Sequence, residues 1–174
     1  KEYAQALVDY KGVDKEALQP YLSGQNPGID WMDELLRTGV TQNYKVAISK
    51  GSEDTQYYVS GGYLSHKGVV TDTKFERYSV KANVHSKLFK WLEMTADINM
   101  SQSNGSGAGF NQNQSNPLWV GLNYSPTMEM MNSQGQYNQD PYNNIQKNPY
   151  GILHGNENDR KRSVVSGHID LKFN

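Results

Sequence analysis

The chain has 174 residues, 17 of them basic and 18 acidic, for a formal net charge of −1. That balance leaves no electrostatic footprint for nucleic acid. Hydrophobic residues make up 36% and the mean hydropathy is −0.80, with no run near the ~18 consecutive apolar residues of a membrane-spanning helix. Cysteine is absent, so disulfides, thiolate zinc sites and cysteine nucleophiles are excluded. Twelve tyrosines against four phenylalanines favour boundaries between apolar and wet surroundings, because tyrosine joins an apolar ring to a polar tip. Lys1 opens the chain without an apolar leader, and Asn174 falls inside an alternating segment, so a piece of a longer protein is expected.

Residues 1–40 read as helical and irregular. Tyr3, Ala6, Leu7 and Tyr10 stand at helical spacing. Asp14 is placed to cap a short helix over Lys15–Tyr21, ended by Gly24 and the Asn26-Pro27-Gly28 turn. Asp30 reads as the N-cap of a helix over Trp31–Arg37, with Gly39 as its stop.

From residue 41 the period changes from 3.6 to 2. Tyr44, Val46 and Ile48 alternate with polar residues in 42–49, and Tyr57, Val59 and Tyr63 share one parity in 55–65. Tyr78, Val80, Ala82 and Val84 do so in 75–86, and Leu92, Met94, Ala96, Ile98 and Met100 in 91–102. After a low-complexity stretch of about 103–161, rich in Asn, Gln, Ser and Gly, the alternation resumes with Val165, Gly167, Ile169, Leu171 and Phe173. The connections Lys50–Asp54, His66–Thr73 and Ser86–Lys90 are short, which predicts antiparallel neighbours joined in order. The expected fold is all-β: an up-and-down meander of about five strands behind a short helical segment.

Strands of about ten residues, tilted ~40°, span roughly 25 Å, the height of an outer-membrane barrel's apolar band. A soluble meander whose apolar face covers an internal core, as in a lipocalin-like ligand- or carbohydrate-binding module, has strands of similar length and remains an alternative. Five strands do not close a barrel, so the apolar face needs a partner, either lipid or further chain.

Particular residues carry a resemblance. Asp30-Trp31-Met32-Asp33-Glu34, Gln42-Asn43-Tyr44, Tyr57-Tyr58-Val59-Ser60-Gly61-Gly62-Tyr63-Leu64, Lys67-Gly68-Val69-Val70, Phe75-Glu76-Arg77-Tyr78-Ser79-Val80-Lys81-Ala82-Asn83 and Lys90-Trp91-Leu92 follow one another in order. Over residues 30–100 they resemble the early barrel of SusC/RagA-type TonB-dependent outer-membrane transporters. Lys50-Gly51 stands where that family often has two glycines, and Lys81 where it often has Arg. The resemblance implies part of a 22-stranded barrel in the outer membrane of a Gram-negative bacterium, with the plug and later strands outside this chain. It implies import of oligosaccharides, in some members peptides, driven through TonB acting on the plug. A SusD-like surface lipoprotein would serve as lid. It implies no enzyme activity and no cofactor.

If the barrel is granted, 103–161 is too long for a periplasmic turn and is expected outside the cell, together with 1–40 and His66–Thr73. Residues 41–174 then form the partial barrel, and Trp91 falls near the periplasmic interface. Lys45, Arg77, Lys81, Asn83, Glu93 and Asp97 have lumen-facing parity. His85, His168 and Asp170 share that parity but lack a close third ligand, so no metal is expected. Nothing in the sequence places Glu93, Asp97 or Asp170 as a hydrolytic carboxylate pair. The loop aromatics Trp119, Tyr124, Tyr137 and Tyr142 are the candidate substrate-binding residues, since such rings stack on sugars while Asn and Gln bond hydroxyls.

Overall fold

Period-2 alternation and short connections produce one antiparallel sheet. In a computed structural model that describes residues 1–107, 116–142, 147–155 and 158–173, five strands form. They are β1 (Val40–Gly51), β2 (Thr55–Lys67), β3 (Lys74–Phe89), β4 (Leu92–Ser106) and β5 (Arg160–Phe173). Their order is β1-β2-β3-β4-β5, each antiparallel to the next, and the sheet is open, with β1 and β5 at its edges. The strands run longer than the alternation alone indicates, because ladder pairing continues through the polar ends. The β3–β4 connection shrinks to Lys90–Trp91, with a ladder irregularity between Lys87 and Phe89. The β1–β2 turn closes through the Ser52 amide donating to the Thr55 carbonyl at 2.7 Å.

The chain divides into two compact units. The sheet unit comprises residues 39–68, 73–106 and 159–174. Its register sorts side chains into two faces. One carries Tyr44, Val46 and Ile48 of β1, Val59 of β2, Val80, Ala82 and Val84 of β3, Ile98 and Met100 of β4, and Val165 and Ile169 of β5. Apart from half-buried Ala82 and Val84 these apolar residues lie open, with Val46 and Val165 each 71% exposed and Ile169 70%. A sheet of water-soluble type buries such a face.

The other unit comprises residues 1–38, 69–72 and 107–158. It holds α1 (Glu2–Lys11), α2 (Gln19–Leu22), α3 (Trp31–Leu35), α4 (Pro117–Asn123) and α5 (Pro149–Gly155). The expected helix over 15–21 forms only from Gln19, since Pro20 fits a first turn but not a helix interior. Asp14 instead makes a local turn, accepting from the Glu16 amide at 3.0 Å. Asp30 caps α3 as expected, its Oδ1 accepting from the amides of Met32 (3.0 Å) and Asp33 (3.3 Å). That helix stops two residues short of Arg37, because Leu36 turns extended and bridges to Val70.

The stretch read as one long loop contains two helices. Asn116 and Asn148 each accept from two amides of the following turn, and a proline occupies the first helical position after each. The unit's core gathers Trp31, Leu35, Val70, Val120, Tyr124, Ile152 and Leu153. A smaller cluster forms from Ala4, Leu7 and Leu18. At Gly121 any Cβ would collide with Leu35 and Met32, so glycine there sets the close approach of α4 to α3.

Candidate functional site

The polar face of the sheet places all six strand candidates together. Lys45, Arg77, Lys81, Asn83, Glu93 and Asp97 share one side of the ladder, opposite the apolar face. In cross-strand rows, Ala47, Ser60, Lys81, Asn99 and Ser166 lie abreast. Next toward the β2–β3 end come Lys45, Gly62, Ser79, Ser101 and Val164, then Asn43, Leu64, Arg77, Ser103 and Arg162. In the opposite direction lie Asp97 beside His168, then His85, Thr95 and Asp170, then Lys87, Glu93 and Lys172. His85 Nδ1 is 3.0 Å from Thr95 Oγ1, and Lys172 lies 3.6 Å from Glu93. Two concavities of about 400 and 570 Å³ open on this face, lined by Lys45, Arg77 and Lys81 in the first and by Tyr58, Asn83 and His85 in the second. Among the described residues no three His, Cys, Asp or Glu side chains converge on one point.

The loop candidates separate by burial. Tyr124 is buried, its ring edge-on to Trp31 at 5.0 Å and its hydroxyl donating to the Asn138 carbonyl. Burial, reinforced by the nearby Asp140 carboxylate, pushes its phenol up to about 12. Tyr124 is a core ring closed to a sugar, and the expectation that it stacks on substrate is corrected: it lies three residues past α3-facing Gly121, on the packed side. Trp119 and Tyr137 stay open, at 42% and 39% exposure. Tyr137 borders a concavity of about 260 Å³ with Gln139, Lys147 and Asn148, its ring centroid 6.2 Å from that of Tyr150. Tyr142 is partly buried against the Ala4–Leu7–Leu18 cluster.

Asp140 was not singled out by sequence, yet it organises this loop. It is buried, and its two oxygens accept from the amides of Ser125 and Tyr142, each at 2.8 Å. Its signal in the sequence is its isolation, since from 101 to 150 only Glu129, Asp140 and Lys147 are charged. Asn148 supports the same loop, donating to the carbonyls of Met130 (3.1 Å) and Asn138 (3.2 Å).

Two aromatic rows border the apolar face, and their alignment emerges only from the register. Tyr44, Tyr63 and Tyr78 stand abreast on β1, β2 and β3, with Tyr63 and Tyr78 ring centroids 4.9 Å apart. At the far end Phe89, Leu92 and Phe173 form a row, and Trp91 stacks between Phe89 (5.4 Å) and Phe173 (6.0 Å).

This sheet and loop have counterparts among known proteins. No family model matches the chain. The TonB-dependent receptor P3 of Formosa agariphila is 26% identical over 143 residues, covering 76% of this chain and 14% of that protein. The receptor P26 of the same organism is 29% identical over 153 residues, 83% of this chain and 14% of that one. The TonB-dependent receptor SusC of Bacteroides thetaiotaomicron is 32% identical over 76 residues, 44% of this chain and 8% of that one. Among solved structures, the RagAB peptide importer in its closed-closed state aligns with a TM-score of 0.59 at 21% identity, over 82% of this chain and 17% of that chain. The five-stranded antiparallel sheet with short N-terminal helices thus matches part of a TonB-dependent barrel. The resemblance read from residues 30–100 is met by SusC over 44% of the chain, and similarity to TonB-dependent receptors extends over most of it. The chain spans about 14% of the length of the P3 and P26 receptors. TonB-dependent receptors are outer-membrane proteins of Gram-negative bacteria, and the relatives are named as receptors and transporters rather than enzymes.

Proposed function

We propose that this chain forms consecutive strands of the barrel of a TonB-dependent outer-membrane transporter that imports oligosaccharides. The observation that carries the reading is the pair of aromatic rows. On β4 they fall at Gln102 and Leu92, ten residues apart. At ~3.3 Å per residue and a tilt of ~40°, that is about 25 Å along the membrane normal, matching the apolar band of outer-membrane barrels between its aromatic girdles. Val46, Ile48, Val80, Ile98, Val165 and Ile169 fill the interval, exposed as lipid-facing residues must be.

On this reading the polar face lines the lumen, Lys90–Trp91 is a periplasmic turn, and the segments 1–40 and 103–161 lie outside the cell. Exposed Trp119 and Tyr137, with the surrounding amides, then meet sugar at the outer mouth. Partly buried Tyr142 supports them. A SusD-like lipoprotein covers that mouth, and TonB supplies energy through a plug. The test is expression of the full-length protein followed by fractionation and by uptake of labelled oligosaccharides and peptides. Recovery in the detergent-extractable outer membrane with sugar uptake is expected. Recovery in the soluble fraction would overturn the barrel, and uptake of peptides alone would overturn the sugar.

A further inference from the structure

The polar face of the sheet confines its carboxylates to one end. In the four cross-strand rows nearest the β2–β3 end stand Lys45, Arg77, Lys81, Arg160 and Arg162, with His66. Those rows hold no carboxylate on this face. Glu76, the nearest in sequence, belongs to the apolar face, where it accepts from the Tyr63 hydroxyl at 2.8 Å. Every carboxylate of the polar face lies in the remaining rows: Asp97, Asp170 and Glu93, the last 3.6 Å from Lys172. Lys87 and Lys172 share those rows with the carboxylates, whereas the five cations of the other rows face none.

Lys45, Arg77 and Lys81 border one concavity of about 400 Å³, and all three side chains are exposed. Between them lie Ser60, Ser79 and Asn99, which supply hydroxyl and amide groups. Arginine forks and lysine ammonium groups bind carboxylate and sulfate oxygens by charge-assisted hydrogen bonds. Interleaved serine and asparagine groups match ring hydroxyls. Leu64, Val80, Met100 and Val164 also line this concavity, so it is the three cations, with no carboxylate among the lining residues, that select an anion.

We propose that the basic rows are a recognition surface for an anionic oligosaccharide bearing sulfate or uronate groups. The inference rests on the polar face being the lumen wall. It places the cations in the half nearest the outer mouth, where they would raise the local concentration of an arriving anion.

The experiment uses the full-length protein in detergent after recovery from the outer membrane. Binding isotherms are recorded with a dextran sulfate oligomer and an oligogalacturonate, each against its uncharged counterpart (dextran, methyl-esterified oligogalacturonate), and with an oligoglutamate peptide. One anionic sugar is expected to bind about tenfold or more tighter than its counterpart, weakening between about 50 and about 200 mM salt. The triple variant K45Q/R77Q/K81Q is expected to lose about tenfold or more for that probe. The control K87Q/K172Q, at the acidic end, should keep it. The single variant K81Q, expected to lose a smaller fraction, carries the test if the triple variant does not assemble. Equal binding of charged and uncharged sugars overturns the inference, as does full binding by the basic-row variants. Patch-dependent binding of oligoglutamate alone also overturns it, in favour of a peptide. A soluble full-length protein would instead defeat the barrel, an outcome read before any sugar is added.

Discussion

The Trp31 indole donates its Nε1 hydrogen to the carbonyl of Ser125 at 3.0 Å, joining residues 94 apart in sequence. The same ring meets Tyr124 edge-on at 5.0 Å and is buried with Leu35 and Val120. One residue of the Asp30-Trp31 motif therefore ties the N-terminal helices to the loop after β4. Trp31→Ala should cost this unit about 3–5 kcal/mol through the cavity and the lost packing. Trp31→Phe should cost less, about 0.5–1.5 kcal/mol for the lost hydrogen bond, because the Ser125 carbonyl still accepts from the Met128 amide at 3.2 Å. Hydrogen exchange over residues 116–142 of the full-length protein checks both. Unchanged protection in W31A would show that the loop is held elsewhere.

Tyr124 makes the same unit sensitive to alkali. Its phenol is raised from 10.0 to about 12, first by burial and then by the Asp140 charge. A raised folded-state pKa means that folding favours the neutral phenol. That stability is fully present below pH 10 and is lost as pH rises through about 12. Burial also raises Tyr21 of the same unit, so spectrophotometric titration of tyrosinate should reveal late-titrating groups, of which the one near 12 disappears in Y124F. In D140N its midpoint should move down toward the ordinary value, and a midpoint that stays put would remove Asp140 from the cause.

The sheet was legible in the sequence because period-2 alternation is written in every strand and short connections leave only antiparallel order. The alignment of Tyr44, Tyr63 and Tyr78 was not, because each strand shows its own parity while the row depends on registers set by all the turns between them. The same holds for the basic rows, where Arg160 and Arg162 join Arg77 only across β4. The loop helices were hidden by composition. Asn116-Pro117 and Asn148-Pro149 read as turn punctuation, although an asparagine cap followed by proline at the first helical position is also how a helix starts. Tyr124 and Trp119 cannot be told apart by type. Only packing against Trp31 makes one a core ring and leaves the other open.

Gly28 should be intolerant of substitution. Its φ is +83°, and a Cβ there would come within 2.6 Å of the Pro126 carbonyl oxygen, which accepts from the Ile29 amide at 2.8 Å. Gly28→Ala must strain the backbone or break that bond, at about 1–3 kcal/mol. Gly24→Ala is a control, with φ +83° and nothing within 4 Å of its Cβ, so it carries only the backbone part. Proteolytic nicking of the full-length protein near residue 28 should rise more in G28A than in G24A, and equal susceptibility would rule out the Pro126 contact as the constraint.

Adjacent residues on β4 separate the lipid-facing reading from a soluble one. Ile98 lies midway between the two aromatic rows, paired with Ala82 and Gly167, and is 46% exposed. Asn99, its neighbour, points to the polar face beside Lys81 and Ser166. In water, replacing so exposed an isoleucine by arginine changes stability by no more than ~0.5 kcal/mol. At the middle of a bilayer the same change costs about 2–4 kcal/mol, while a lumen position tolerates it. Ile98→Arg should therefore reduce the folded, heat-modifiable protein in the outer membrane severalfold, and Asn99→Arg should leave it near wild type. Equal yields of the two variants would mean that this face does not meet lipid, because the bilayer is what distinguishes their cost.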